Sequence, residues 1–164
     1  MKEAGLSSVD VNLSVSDGAF AGAVDAGQLY QNSGAAAGVN INIVQEPADG
    51  YWSNVWLKKP WCACYWSGRA TEDWMFSTAY ESGVPWNDTG WENERFQSLL
   101  MQGRAELDTG LRGEIYREMQ AICRDEGGTV VPMYQNYVDA KSNRVEHSGQ
   151  TGNLWMLDNL RSCK

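Results

Sequence analysis

Four cysteines (Cys62, Cys64, Cys123, Cys163) and one histidine, His147, are the chain's thiol and imidazole groups. They form neither a CxxC pair nor a Cys/His set, so their spacing supplies no zinc ligand set, and no metal or cofactor is expected. Cys62 and Cys64 flank Ala63 in a stretch that reads as a strand. There, side chains two apart share a face and point away from an easy mutual bridge. A long-range disulfide stays open. Cys123 lies on the apolar stripe of a helix, the place of a buried structural thiol. The adjacent carboxylates Glu72 and Asp73 fit a paired-carboxylate site or the acidic first turn of a helix, and the second is the commoner arrangement. No GxSxG, HExxH, P-loop or GxGxxG pattern occurs, so no catalytic residue is assigned and an enzyme is not expected.

The chemistry that remains is that of binding. Eight tryptophans occur, all but Trp155 between positions 52 and 91. Tryptophan presents a broad apolar face with one polar edge, which suits a pocket that grips sugar rings or peptide groups; several of them also serve to fill a core. Arg69 follows Trp66-Ser67-Gly68 at the end of a strand-like run, and in open α/β sheets ligands bind at the carboxyl ends of strands. A guanidinium there can clamp a carboxylate or phosphate with two hydrogen bonds. The plainer alternative is a surface arginine paired with Glu72 or Asp73.

These residues need a scaffold. Val9, Val11, Leu13 and Val15 alternate with Asp10, Asn12 and Ser14, the period of a half-buried strand, which Ser16-Asp17-Gly18 closes. An alanine-rich helix over residues 19–37, interrupted by Gly22, Gly27 and Gly34, leads to a second alternating strand at Val39, Ile41 and Ile43. Strand, helix and strand in this order predict a parallel βαβ unit. Aromatics at helical spacing predict a helix over residues 48–59, stopped by Pro60. The run from Trp61 to Trp66 then predicts a short buried strand. Thr71 is a candidate cap for a helix carrying Trp74, Met75 and Tyr80. Asn93 and Asp108 are candidate caps for two amphipathic helices, the first with Phe96, Leu99, Leu100 and Gly103, the second with Leu111, Ile115, Met119, Ile122 and Cys123. Gly127-Gly128 ends the second, and 129–134 predicts an edge or bulged strand because of Pro132. Trp155, Met156 and Leu157 predict a tail that packs back.

Composition narrows the partners. A chain of 164 residues is the size of one domain, and its 43% hydrophobic and 21% charged residues are ordinary globular usage. A net charge of −8, with no basic run, lacks the footprint of a nucleic-acid binder. No segment has the roughly 18 consecutive apolar residues of a membrane span, and no apolar stretch follows Met1-Lys2-Glu3 as in a signal peptide. The opening residues read as the last turn of a helix closed at Gly5, so further chain is expected upstream.

Several runs carry a family resemblance: Phe96-Gln-Ser-Leu-Leu, Arg104-Ala-Glu-Leu-Asp108 with Arg112, Tyr116-Arg-Glu-Met-Gln120-Ala-Ile, and Gly127-Gly-Thr-Val-Val-Pro-Met133-Tyr134. Together they resemble the C-terminal part of the peptide/nickel-type (family 5) solute-binding proteins of ABC transporters. The resemblance spans nearly the whole chain and about the last third of a member. It implies an α/β fold, a mixed-sheet lobe of the type II periplasmic-binding-protein kind, with residues 1–164 forming one C-terminal ligand-binding lobe. It also implies a periplasmic or lipid-anchored receptor whose two lobes close on a small-molecule ligand and deliver it to an ABC permease in the membrane. Trp61, Trp66, Ser67, Gly68 and Arg69 fall in the ligand-facing segment. In dipeptide and oligopeptide receptors that segment holds an aspartate for the ligand's amino terminus, and Arg69 stands about where it would be. A cation there repels an ammonium, so an acidic or phosphorylated opine- or sugar-like ligand is expected in place of an ordinary peptide. A freestanding carbohydrate- or peptide-binding module is the rival reading. An exposed tryptophan-rich wall is expected to make the isolated chain self-associate as a homodimer.

Overall fold

Val9–Val15 forms strand β1 and Val39–Gln45 forms β2, as their alternation predicts. The two pair in parallel, from Val9 opposite Val39 to Val15 opposite Gln45. Helix α1, Ala23–Ala36, makes the crossover. The computed structural model describes residues 5–134, 136, 140, 142–147 and 160–162. The helix end expected before Gly5, the tail residues Trp155, Met156 and Leu157, and Cys163 lie outside them. The chain divides into two compact units, Met1–Trp66 and Ser67–Lys164.

In the first unit α1 packs against the sheet through glycines. Gly27 and Gly34 do not break the helix; they are buried within it. A Cβ on Gly27 would stand 3.0 Å from the Val15 side chain, and one on Gly34 would stand 2.9 Å from the Val39 carbonyl oxygen. The glycines therefore supply clearance, and Leu13, Val15 and Ile41 fill the space with Val11, Val24, Tyr30, Val39 and Ile43 packed around them.

A third, very short strand segment joins β1 on its other side. Cys62 bridges to Ser14 in parallel, with Ser14 N–H donating to the Trp61 carbonyl (3.1 Å) and Ala63 N–H donating to the Ser14 carbonyl (2.8 Å). The strand expected from Trp61 to Trp66 thus pairs only at its start. Just past β1, Ser16 belongs to a turn in which Ala19 N–H donates to its carbonyl, so β1 itself goes no further.

Tyr51 secures this junction. Its side chain is 1% exposed, and its hydroxyl lies 2.6 Å from the Ala63 carbonyl oxygen and 3.2 Å from that of Ser14, donating to both. The surrounding core is Ala19, Ala23 and Val55, with Phe20 and Cys62 against it. The helix expected over 48–59 is a single turn, α2, Tyr51–Asn54. The Tyr51 carbonyl accepts from both Val55 and Trp56, and Val55 then accepts from Lys58 and Lys59, so the chain winds on as turns. Leu57 holds a left-handed φ of 60°, which a helix does not allow.

In the second unit each candidate cap is made. Thr71 Oγ1 accepts from Trp74 N–H at 3.2 Å ahead of α3, Glu72–Met75. Asn93 Oδ1 accepts from Phe96 N–H at 2.9 Å ahead of α4, Glu94–Ala105. Asp108 Oδ1 accepts from Leu111 N–H at 2.9 Å ahead of α5, Thr109–Glu126. α3 runs directly into a π-helical turn, Phe76–Tyr80. Ser77 and Thr78 hydroxyls donate to the carbonyls four residues back, Asp73 and Trp74, which loosens the ladder there. Phe76, Phe96, Leu99, Leu100 and Met119 form the core, ringed by Tyr80, Trp91, Ile115, Tyr116, Ile122 and Cys123. Burial pushes the Cys123 thiol up to about 12, in keeping with a structural thiol.

Residues 129–134 do not form the expected strand. Pro132 has no N–H to donate, no described strand lies beside the segment to pair with it, and Tyr134 is 90% exposed. Among the described residues of this unit, β3 (Val145–His147) and β4 (Leu160–Ser162) pair antiparallel. No described helix is long and apolar enough to cross a membrane.

Two outcomes follow from this packing. Gly34→Ala should cost about 1–3 kcal/mol, the range for overpacking, whereas Gly113→Ala in α5, where a Cβ meets nothing within 4 Å, should stabilise by about 0.4–1 kcal/mol; urea unfolding of the two variants reads the contrast. Tyr51→Phe should cost about 1–3 kcal/mol by taking from the buried Ala63 carbonyl its hydroxyl donor, while the Ser14 carbonyl keeps the Ala63 N–H. Burial, followed by the neighbouring Cys62 and Cys64, pushes the Tyr51 phenol well above its ordinary value of 10.0. A raised folded-state value means that its stabilisation is complete below pH 10 and falls as pH climbs past it. Stability measured across pH 9–11 should show that decline, and Tyr51→Phe should remove the part due to this residue.

Candidate functional site

The polar side of the β1–β2 sheet carries a concavity of about 560 Å³ in the first unit, lined by Val11, Asn12, Ser14, Val44, Glu46, Lys59, Pro60 and Trp61. Its size is that of a small-molecule site. Ser14, 5% exposed, donates through its hydroxyl to Glu46 at 2.8 Å, and Lys59 Nζ stands 3.9 Å from the same carboxylate oxygen. The alternation that buries Leu13 and Val15 turns Asn12 and Ser14 to this side, so the strand pattern itself selects the polar lining.

Trp61 borders this concavity and also packs toward the α1 side, edge-on to Tyr30 with centroids 5.7 Å apart. Trp66 belongs to a different grouping, an aromatic network around α2. Trp56 meets Trp66 at 6.4 Å, Trp52 meets Trp56 at 5.9 Å, and Trp52 meets Tyr65 at 5.5 Å, all edge to face. Tyr65 is 59% exposed and Trp52 39%, so the network presents ring surface to solvent. Tyr65, Trp52, Glu46 and Lys59 were not singled out as site residues from the sequence. The clustering of aromatics between 51 and 66 was the available signal for the first two, and nothing local marks the other two.

Ser67, Gly68 and Arg69 follow Trp66 directly and open the second unit. Arg69 Nη1 donates to the Ser67 carbonyl at 2.8 Å and to that of Gly68 at 3.3 Å, and the guanidinium lies over the Trp74 ring, 5.6 Å from its centroid. Two loop carbonyls and an aromatic face thus hold the cation in one orientation. Asp73, one of the two acids weighed as its partner, receives Arg104 Nε at 2.9 Å, and Tyr116 donates to it at 3.4 Å. Arg104 also reaches Glu81 at 3.4 Å. The hydrogen bond that Arg104 donates to Asp73 raises its guanidinium further, while burial, then Asp73, raises the Tyr116 phenol. Asp73 therefore serves the packing of the helices, consistent with its place in a first helical turn.

No family model matches the chain. Over 48 residues it is 44% identical to the oligopeptide-binding protein OppA of Bacillus subtilis (strain 168), a match covering 29% of this chain and 9% of that protein. Its structure is similar to that of HbpA2 from Haemophilus parasuis, with a TM-score of 0.62 and 20% identity over 75% of this chain and 26% of that one. It is also similar to the ABC transporter substrate binding protein CtaP from Listeria monocytogenes, with a TM-score of 0.58 and 20% identity over 74% and 26%. The chain thus spans about a quarter of the length of these solved structures. These likenesses show the fold, an α/β fold of the periplasmic-binding-protein type.

Proposed function

We propose that this chain is the C-terminal ligand-binding lobe of an extracytoplasmic receptor that captures a small molecule and hands it to an ABC permease. Its setting is the periplasm, and its work is binding without catalysis. The match to OppA and the fold shared with CtaP support the receptor reading. Trp61, Trp66, Ser67, Gly68 and Arg69 are the residues assigned to the ligand.

The observation that carries the choice of ligand is the posture of Arg69. A guanidinium already oriented by the Ser67 and Gly68 carbonyls and by Trp74 loses little freedom when it engages an anion. It also disfavours a ligand that enters with an ammonium group. The favoured ligand is a peptide-, opine- or sugar-like molecule bearing a carboxylate or phosphate, with its apolar faces on tryptophan rings.

The test is calorimetry on the full-length receptor with an anionic ligand recovered from it. Arg69→Ala should weaken binding roughly 10- to 100-fold, the worth of one charge-assisted contact, and Arg69→Lys should recover part of the loss. Unchanged affinity in Arg69→Ala would remove Arg69 from the site and leave the receptor reading to stand on its fold.

A further inference from the structure

Arg104 stands on α4 and reaches two carboxylates of one neighbouring segment. Its Nε donates to Asp73 Oδ2 at 2.9 Å and its Nη2 to Glu81 Oε2 at 3.4 Å. Asp73 lies in α3 and Glu81 directly follows the π-helical turn, so one guanidinium joins both ends of the segment. The Arg104 side chain is 35% exposed and the two carboxylates 28% each, which shields the pairs from water more than open surface ions are shielded. Both Asp73 oxygens are engaged: Ser77 donates to Oδ1 at 3.3 Å, and Tyr116 of α5 donates to Oδ2 at 3.4 Å.

The segment needs such ties. α3 is one turn of four residues, and a helix that short does not hold itself. Phe76, packed on Phe96 with centroids 5.3 Å apart, fixes the middle of the segment in the core. Ahead of it, Trp74 N–H donates to Thr71 and the Trp74 carbonyl accepts from Thr78, and both bonds stay within the segment. Among the described residues, the polar ties from this turn to α4 and α5 run through Asp73. Trp74 is the next residue. Its side chain is half-exposed, and its ring carries the Arg69 guanidinium 5.6 Å from the centroid. A ring so open to solvent takes its place from its backbone more than from its packing.

We propose that Arg104 is a positioning residue for the site at Arg69: by clamping Asp73 and Glu81 it fixes the turn that carries Trp74, and with it the ring on which the Arg69 guanidinium rests. Its bearing on a ligand rests on the role proposed for Arg69, whereas the clamp is a property of the chain alone. Lysine is a poor substitute, since an ammonium lacks the planar fork that meets two carboxylates at set angles.

Nitrogen-15 relaxation of the ligand-free chain tests it, read at the Arg69 Nε–H and the Trp74 indole N–H. Arg104→Gln should lower both order parameters, Trp74 to below about 0.6, the range of flexible groups, and Arg69 by a smaller step because the Ser67 and Gly68 carbonyls still hold it. Arg104→Lys should recover only part of the order. Arg95→Gln removes another ion pair between α4 and α5, that with Glu118, and should leave both groups as they are. With Trp74→Ala already in place, Arg104→Gln should change Arg69 no further. Unchanged order in Arg104→Gln, or equal loosening in Arg95→Gln, overturns the clamp. Should Arg104→Gln fail to fold, Asp73→Asn keeps the shape and removes the charge; it should loosen the same two groups, and unchanged order there overturns the clamp as well. Loosening in Arg104→Gln beside a ligand affinity indifferent to Arg69→Ala would uphold the clamp and remove the ligand reading alone.

Discussion

The Tyr51 hydroxyl, buried and donating to the carbonyls of Ser14 and Ala63, is the contact on which the first unit depends. It sits beside the parallel bridge that joins β1 to the Trp61–Ala63 segment at Ser14 and Cys62. A carbonyl left buried without a donor at that point would cost about as much as several good packing contacts gain. One side chain thus joins three pieces: the end of β1, the short third strand, and α2 with its aromatic network. The route by which the chain leaves the sheet toward Trp66 is set at the same place.

Much of this architecture was legible in the sequence because its signals are local. β1, β2 and the crossover helix follow from period-two alternation and an alanine-rich segment, and the caps Thr71, Asn93 and Asp108 each accept the amide their position implies. Misreadings arose where tertiary contacts decide. Residues 48–59 have helical spacing, but Leu57 turns left-handed and the helix stops after one turn. Trp61–Trp66 looks like a strand, yet it pairs only as far as β1 can follow. Gly27 and Gly34 look like helix breakers, and their role in clearance is visible only once Val15 and Val39 lie beside them. The π-helical turn after Met75 arises from Ser77 and Thr78 bonding back to the chain, a competition that spacing alone does not reveal.

The residues proposed for binding divide in the same manner. Arg69 could be picked out by its position after a strand, but its orientation could not: that comes from two backbone carbonyls and the Trp74 ring. The concavity beside Ser14 and Glu46 is a product of strand pairing, which brings residues 32 apart within hydrogen-bond distance. The tryptophans, which looked like one group in the sequence, serve different ends. Trp61 supports the α1 side, Trp91 joins the second core, and Trp52, Trp56 and Trp66 form an edge-to-face set. A ligand platform and a core filler can share a residue type, and only the surroundings separate them.

The central claim is that the chain is part of a receptor whose ligand meets the oriented guanidinium of Arg69. Native mass spectrometry of the full-length receptor, purified from periplasm without refolding, weighs whatever small molecule accompanies it. The expected result is a co-purified acidic sugar-like or opine-like mass that dissociates more readily in Arg69→Ala. A peptide with a free amino terminus, held equally well by the Arg69→Ala receptor, would contradict it.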